Sequence, residues 1–423
     1  MVRAIGLDVH LEFCEIAIVE GGRVRSAGKI TTKPEQLALF AASLGPQDRV
    51  ALEVTGNAWQ IVRILQPHVE QVIVVSPSDT GIRQARAKTD RLDARTLAKL
   101  LAAGELDSIW MPDHATWVMR RRLGRRSQLV WARTRAKNQI HAVLMRQLIG
   151  RPPMSDLFGA KGRRWLSGLQ LPDDERETVD GAMRQIAFLD GEIAAVERLI
   201  ANAALQSAQI KRLMTVPGVN VICAATFLAA VGDIRRFDSA RKLTGYLGLD
   251  PRVRQSGSAP ATHGHISKQG SVSARHALVE ASWSTVRQPG PTRAFYQRVR
   301  GRRGHQIAIV AAARKLACLF WVLLTREEDY AFAQPSLTRK KLRRLELTAG
   351  AGSQRGTKSG LWAANGAMRK AERELAQQAE TAYAHTVREW QSATAAKAGA
   401  SVTPGRASSG PSRGQATRQI SSP

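Results

Sequence analysis

The sequence predicts an α/β domain at the N-terminus, a helical linker of coiled-coil character, and a mostly α C-terminal domain. Three observations lead there. Residues 1–110 alternate short β-branched runs with helical patterns. Residues 111–212 carry few strand signals and are rich in Ala, Leu, Arg and Gln. Residues 213–330 join apolar helical runs through one Gly-rich polar stretch, 255–270. At 423 residues the chain is long enough for two or three domains with cores of their own. Residues 331–423 are basic and partly helical, and after Ser392 the Ser, Gly, Pro, Arg and Thr content reads as disorder.

Within residues 1–110, segments 4–9 and 15–19 read as strands and 23–30 as a third. A helix is predicted over 34–44, a strand over 49–54, a helix over 57–67, a strand over 71–75 and a helix over 90–103. Three leading strands followed by alternating helix and strand fit an α/β fold of ribonuclease-H type. Further along, Val179, Ile186, Ile193 and Ile200 take one seam of a heptad stripe, and Ala182, Leu189, Val196 and Ala203 take the other. Such a stripe predicts a coiled coil or a long helical hairpin, closed within the chain or between two chains.

Charge narrows the partners. The 63 Lys and Arg against 35 Asp and Glu give a formal charge of +28, while 43% hydrophobic residues mark a mainly folded protein. That balance calls for a polyanion, most often nucleic acid. No acid occurs between Asp113 and Asp156, between Asp250 and Glu280, or between Glu280 and Glu327. Cys14, Cys223 and Cys318 are far apart in apolar settings, which excludes a disulfide framework or a zinc pattern and suits a reducing cytoplasm. The chain opens directly on a strand pattern, so no signal peptide is expected. The apolar run 307–324 carries Arg314 and Lys315 near its middle, which points to a buried helix and to no membrane partner.

The chemistry gathers on acids. In Lys88-Thr89-Asp90-Arg91-Leu92-Asp93-Ala94, two aspartates three residues apart open a predicted helix on one face. Asp8 ends the first strand and Glu53 the fourth. In a ribonuclease-H topology those strands are neighbours and the last helix packs across them, so the four carboxylates would converge. Carboxylates brought that close repel one another, and Mg²⁺ relieves the repulsion because it takes oxygen ligands. Two such ions can serve phosphoryl transfer. The plain alternative for Asp90 is a helix-start acid favoured by the dipole, with Arg91 and Arg95 in pairing reach of Asp93.

Gly6-Leu7-Asp8-Val9-His10, Leu52-Glu53-Val54-Thr55-Gly56 and Lys88-Thr89-Asp90-Arg91-Leu92-Asp93-Ala94 resemble the RuvC-like DEDD domain of the insertion sequence 110 family of transposases. Leu243 to Pro251, then Gln255-Ser256-Gly257, His265-Ile266-Ser267-Lys268-Gln269-Gly270 and Ser273-Ala274-Arg275, resemble that family's C-terminal transposase domain. The resemblance spans about residues 1–325. It implies a metal tetrad of Asp8, Glu53, Asp90 and Asp93, and a serine nucleophile at Ser256 forming a phosphoserine link to DNA. Ser258 competes for that role, because the chain reads Ser-Gly-Ser where the family usually shows Ser-Gly-Gly. The resemblance also implies donor and target DNA as substrates, a structured element-encoded RNA as guide, and composite sites in a homo-oligomer, with sequence choice delegated to base pairing.

The residues around the serine suit phosphate chemistry. A hydroxyl needs activation to attack, and the acid-free setting with Lys268 and Arg275 favours developing negative charge. His263, His265 and His276 are candidate proton carriers or phosphate contacts. Leu213 to Val219 is similar to a helix-hairpin-helix turn. Arg120, Arg121, Arg122, Arg125, Arg126, Arg133, Arg135 and Lys137, interleaved with Trp117, Trp131 and Asn138, are expected to bind nucleic acid, since no neighbouring acid would pair with them. Two rival functions remain at this stage: a junction nuclease using metal-activated water, and a nucleic-acid-binding protein without catalysis. The actin and hexokinase group also starts on Gly-x-Asp strands, but its second Gly-rich phosphate hairpin is not found in the sequence.

Overall fold

The structure, a computed structural model, describes residues 2–77, 80, 89–257, 260–352 and 361–400. Lys88, Ser258 and the tail from residue 401 lie outside the described residues. The chain divides into two compact units, Met1–His114 and Ala115–Pro423.

The first unit holds a mixed sheet of order β3-β2-β1-β4-β5. Strands β1 (Ala4–Val9), β2 (Phe13–Glu20) and β3 (Arg23–Thr31) form an antiparallel meander. Helix α1 (Pro34–Ala42) leads to β4 (Arg49–Glu53), which pairs parallel to β1 with Leu7 opposite Leu52. Helix α2 (Ala58–Leu65) leads to β5 (Gln71–Val75), parallel to β4.

The two-residue alternation of side chains sorts β1 into two faces. Ile5, Leu7 and Val9 pack with Leu37, Ala41, Ile61 and Leu65 of α1 and α2. Ala4, Gly6 and Asp8 turn to the opposite face, where α3 (Asp90–Ala103) lies across β1, β2 and β4. Helix α3 starts at Thr89, whose hydroxyl accepts from the Leu92 amide at 3.3 Å, and stops at Gly104 in the left-handed conformation. Gly6 sets how close the helix comes. A Cβ there would stand 2.2 Å from the Ala94 carbonyl oxygen and 2.5 Å from the Ala98 nitrogen. The small side chains Ala17, Ala94 and Ala98 fill the rest of that contact.

In the second unit, α4 (His114–Arg146) and α6 (Asp173–Leu205) form an antiparallel hairpin, with α5 (Ala160–Ser167) packed near its turn. The register shows in a ladder of ion pairs: Arg126–Glu197 at 2.7 Å, Arg133–Asp190 at 2.8 Å and Arg146–Glu175 at 2.7 Å. The expected seam Val179, Ala182, Ile186, Leu189, Ile193, Val196 and Ile200 is buried inside the chain. At the end it passes to Ala201 and Ala204 and not to Ala203, the drift expected of a straight helix against a 7-residue repeat. The stripe therefore closes an intramolecular hairpin.

The remaining helices build a main core and a smaller cluster around Val286, Tyr296, Ala308, Ile309 and Ala312. Helices α7 (Ala208–Met214), α8 (Val221–Val231) and α9 (Ala240–Tyr246) precede a two-stranded hairpin, β6 (Pro251–Arg254) with β7 (Thr262–Ile266). Helices α10 (Val272–Thr285), α11 (Pro291–Arg303) and α12 (His305–Arg326) follow. Phe227 of α8 meets Phe320 of α12 edge to face, with ring centroids 4.9 Å apart. Helix α12 has the length and apolarity of a membrane span. Its apolar face, from Ala308 to Leu324, is buried in the core instead, while Arg314 reaches out to Asp250 at 2.9 Å.

Two more helices, α13 (Pro335–Ala349) and α14 (Leu361–Ala400), continue the same unit. Lys341 donates to the carbonyls of Met214 and Val216 at 2.7 and 2.8 Å, and burial pulls its ammonium down to about 8. Arg293 of α11 pairs with Glu380 of α14 at 2.8 Å.

Candidate metal centre

Close contact at Gly6 places the N-terminal turn of α3 beside the end of β1. Asp8 sits two residues beyond Gly6 on the same face, and Asp90 and Asp93 lie within one turn upstream of Ala94. Among the described residues, ligand atoms of Asp8, His10 and Asp90 all lie within 4.8 Å of one another. His10 Nε2 is 3.0 Å from Asp8 Oδ2 and 3.3 Å from Asp90 Oδ1.

The electrostatics fit a cation site. Burial pushes the Asp8 carboxyl above its usual range, His10 pulls it back, and the charges of Asp93 and Asp90 push it up further. Asp8 thus feels both other acids at the end of β1. Asp93 is buried, whereas Asp90 stays open to solvent, its side chain 44% exposed. A divalent cation would relieve this repulsion, and carboxylate oxygens are its ordinary ligands.

Glu53 is the less committed member. It ends β4 beside Asp8, but its Oε1 accepts from the Thr80 hydroxyl at 2.9 Å, and it is not one of the three mutually close groups. Arg91 donates to Ser26 at 2.7 Å.

Two residues beside the carboxylates were not singled out by the sequence. His10 follows Asp8 by two positions, at the end of the Gly6-Leu7-Asp8-Val9-His10 motif. Glu15 lies directly opposite Asp8 in the β1–β2 register, is 5% exposed, and faces Lys29 at 3.7 Å. Its Oε2 is buried without a hydrogen-bond partner. An acid inside the apolar alternation of β2 was the available signal.

The expected serine lies in the second unit, on the loop that joins β6 to β7. Ser256 is exposed and precedes Gly257, whose φ is +59°. Its loop rests on a crossed pair of turns below. Gly248 and Gly270 both have positive φ, and a Cβ on either would stand 2.1 or 2.0 Å from the facing backbone. The Lys268 amide donates to the Gly248 carbonyl at 3.0 Å, and Lys268 itself has φ +58°. Arg275 donates to the carbonyls of Leu247 and Gly270 at 3.1 and 3.0 Å, so its guanidinium ties the two turns together. Arg252, Arg254, His265 and Lys268 line one open groove of the hairpin.

The basic run on α4 needs a correction. The expectation that no acid pairs with it fails, because the acids come from α6 across the hairpin. Arg126 and Arg133 pair with Glu197 and Asp190, and Arg125 with Glu192. Arg120 donates to the Ala229 carbonyl at 2.6 Å and Arg122 to the Leu199 carbonyl at 3.3 Å. Arg121 and Arg135 instead lie over Trp117 and Trp131, each 4.9 Å from the ring centroid, and Lys137 lies 4.6 Å from that of Phe158. Trp131 is 69% exposed.

A mixed α/β sheet with clustered carboxylates at one strand end, followed by a mostly helical basic unit, defines a candidate metal-dependent protein acting on nucleic acid. Comparison with known proteins makes this specific. Residues 5–148 match the model of a transposase domain of DEDD type, and residues 210–297 match the Transposase IS116/IS110/IS902 family, together more than half of the chain. The protein y4qE of Sinorhizobium fredii, which carries a transposase name, is 32% identical over 303 residues, 67% of this chain and 72% of its own length. The transposase for insertion sequence element IS1111A of Coxiella burnetii is 25% identical over 336 residues, covering 78% of this chain and 91% of that protein. The chain belongs to the IS110 family of insertion-sequence transposases. A DEDD domain goes with divalent-metal use, and the acidic cluster at Asp8 and Asp90 is where this chain offers it.

Proposed function

We propose that the protein cleaves and exchanges DNA strands with Mg²⁺ held by Asp8, Glu53, Asp90 and Asp93, and with Ser256 as nucleophile. The observation that carries the reading is the convergence of Asp8 and Asp90, from separate elements, on one point with Asp93 close enough to shift the Asp8 carboxyl. When bound, Mg²⁺ supplies charge neutralisation at the phosphate and a lower pKa for a coordinated hydroxyl or water. In the covalent step Ser256 Oγ bonds to phosphorus, the phosphorus–oxygen bond to the departing strand breaks, and the hydroxyl proton passes to a base or to solvent. Strand exchange reverses the step with a different strand hydroxyl, which restores the serine.

The exposed hairpin groove of Arg252, Arg254, His265 and Lys268 supports phosphate contact near Ser256. On α4, the aromatic-backed Arg121, Arg135 and Lys137 are the better nucleic-acid contacts. The guide RNA, the homo-oligomer with composite sites and a cytoplasmic location belong to the same proposal, and rest on family membership and on the +28 charge. Ser256→Ala tests the mechanism. Loss of the covalent protein–DNA adduct on a denaturing gel, and of strand exchange, is expected. Full strand exchange by that variant would contradict a Ser256 nucleophile, and strand cleavage without exchange or adduct in the wild type would support hydrolysis by metal-activated water. Sequencing the RNA that copurifies with the protein tests guidance: an RNA encoded beside the gene is expected, and random cellular RNA alone would contradict it.

A further inference from the structure

We propose that His10 supplies a nitrogen ligand to the ion held by Asp8 and Asp90, giving the centre a mixed nitrogen–oxygen donor set that binds Mn²⁺ more tightly than Mg²⁺. The inference rests on the carboxylate centre being a metal site and concerns which of this chain's residues complete it.

Geometry is the first ground. Two ligands at adjacent corners of an octahedral ion with bonds of about 2.1 Å stand about 3 Å apart. His10 Nε2 stands 3.0 Å from Asp8 Oδ2 and 3.3 Å from Asp90 Oδ1, and the three groups lie within 4.8 Å of one another. A neutral imidazole has at most one hydrogen on Nε2, so it cannot give both carboxylates a full hydrogen bond. One nitrogen aimed at two acids from separate elements is the arrangement that a shared cation leaves. With the proton on Nδ1, the Nε2 lone pair points into the same space as the carboxylate oxygens.

The ring is also held there by a built shell. The His10 amide donates to the Phe13 carbonyl at 2.9 Å, and the His10 carbonyl accepts from Asn57 Nδ2 at 3.1 Å. The imidazole packs on the Phe13 ring, centroids 4.8 Å apart and planes 30° from parallel. Lys29 Nζ also lies over that ring, 4.2 Å from its centroid, and faces Glu15. Elements β1, β2, β3 and the start of α2 therefore cooperate to aim one nitrogen. His10 keeps 41% of its side chain exposed, which leaves an entry path for an ion.

Donor chemistry decides the ion. Carboxylate oxygens serve Mg²⁺ and Mn²⁺ alike, whereas an imidazole nitrogen adds affinity mainly for transition metals. The site then works with Mg²⁺ through oxygen ligands and prefers Mn²⁺ through His10.

Pulsed electron paramagnetic resonance on the full chain loaded with Mn²⁺ tests this. The wild type is expected to show ¹⁴N echo modulation from a coordinated imidazole, and ¹⁵N-histidine labelling should change its frequencies without any substitution. His10→Gln, or His10→Ala if the first does not fold, is expected to keep a bound Mn²⁺ but lose the modulation. Its calorimetric preference for Mn²⁺ over Mg²⁺ should fall by about 10-fold, at the lower end of what outer-shell changes alone produce. Modulation absent from the wild type, or unchanged in both variants, overturns the role of His10. Asp8→Asn and Asp90→Asn separate the two claims: if neither weakens Mn²⁺ binding, the carboxylate centre itself is refuted, whatever His10 does.

Discussion

The carboxylate cluster and the serine hairpin are built by opposite strategies. Asp8, Asp90 and Asp93 stand on a core strand and a core helix, fixed by the contact of Gly6 with the Ala94 carbonyl. Ser256 stands on an exposed loop of a two-stranded ribbon, with the Gly248 and Gly270 turns at its base. Metal ligands must hold positions to a fraction of an ångström, which rigid elements provide. On the proposed reading, a serine that follows a DNA strand through exchange is better carried on a loop above a firm base. On that reading the chain separates the group needing precision from the group needing reach.

The largest expected effect breaks the first half of that contrast at its chemistry. Asp90→Asn should lower strand exchange by more than about 100-fold, because even outer-shell partners of a metal cost about 10- to 100-fold. Circular dichroism should show α3 intact, since Thr89 and not Asp90 caps the helix. Next in size, Gly6→Ala should destabilise the first unit by about 3 kcal/mol in denaturant titration, the upper range for overpacking, and weaken metal binding with it. Unchanged metal affinity in that variant would show that the helix does not need its close seat.

Gly248→Ala should act on the hairpin alone. Its Cβ meets the Gln269 backbone and its φ is +68°, a conformation that costs a non-glycine residue on the order of 1 kcal/mol before any clash. Trypsin should then cut faster at Arg252 and Arg254, while metal binding stays as in the wild type. A drop in metal affinity would contradict the independence of the two constructions.

The smallest effect concerns acid stability of the first unit. Burial alone would push Asp48 up, but hydrogen bonds from Arg3 and the Gly45 amide hold its carboxyl below the usual range. A depressed folded value means that stability is present above the unfolded value of about 3.9 and is lost as pH falls through the folded one. Asp48→Asn should therefore cost about 1–3 kcal/mol at neutral pH, a difference that shrinks as the pH falls through the depressed folded value. A difference that persists at low pH would mean the loss lies in packing and not in charge.

Much of this was legible in the sequence, for physical reasons that also explain what was missed. The strands and α3 were readable because alternation and helix-start chemistry are local. The seam on α6 was readable because its period is. The pairing of the α4 arginines was not, because Glu192, Glu197 and Asp190 lie 67, 71 and 57 residues away and meet them only once the hairpin closes. A run without local acids is thus no proof of a free basic face. His10 and Glu15 were missed for a related reason: their meaning comes from β1 pairing with β2 and from α3 crossing the sheet, which no window of residues contains.

The most direct measurement of the central claim is a calorimetric titration of Mg²⁺ and Mn²⁺ into the full chain and into Asp8→Asn. Saturable binding by the wild type, weakened by at least about 10-fold in Asp8→Asn while the fold is retained, is the predicted result. Equal binding by the two proteins would contradict a metal centre at the end of β1.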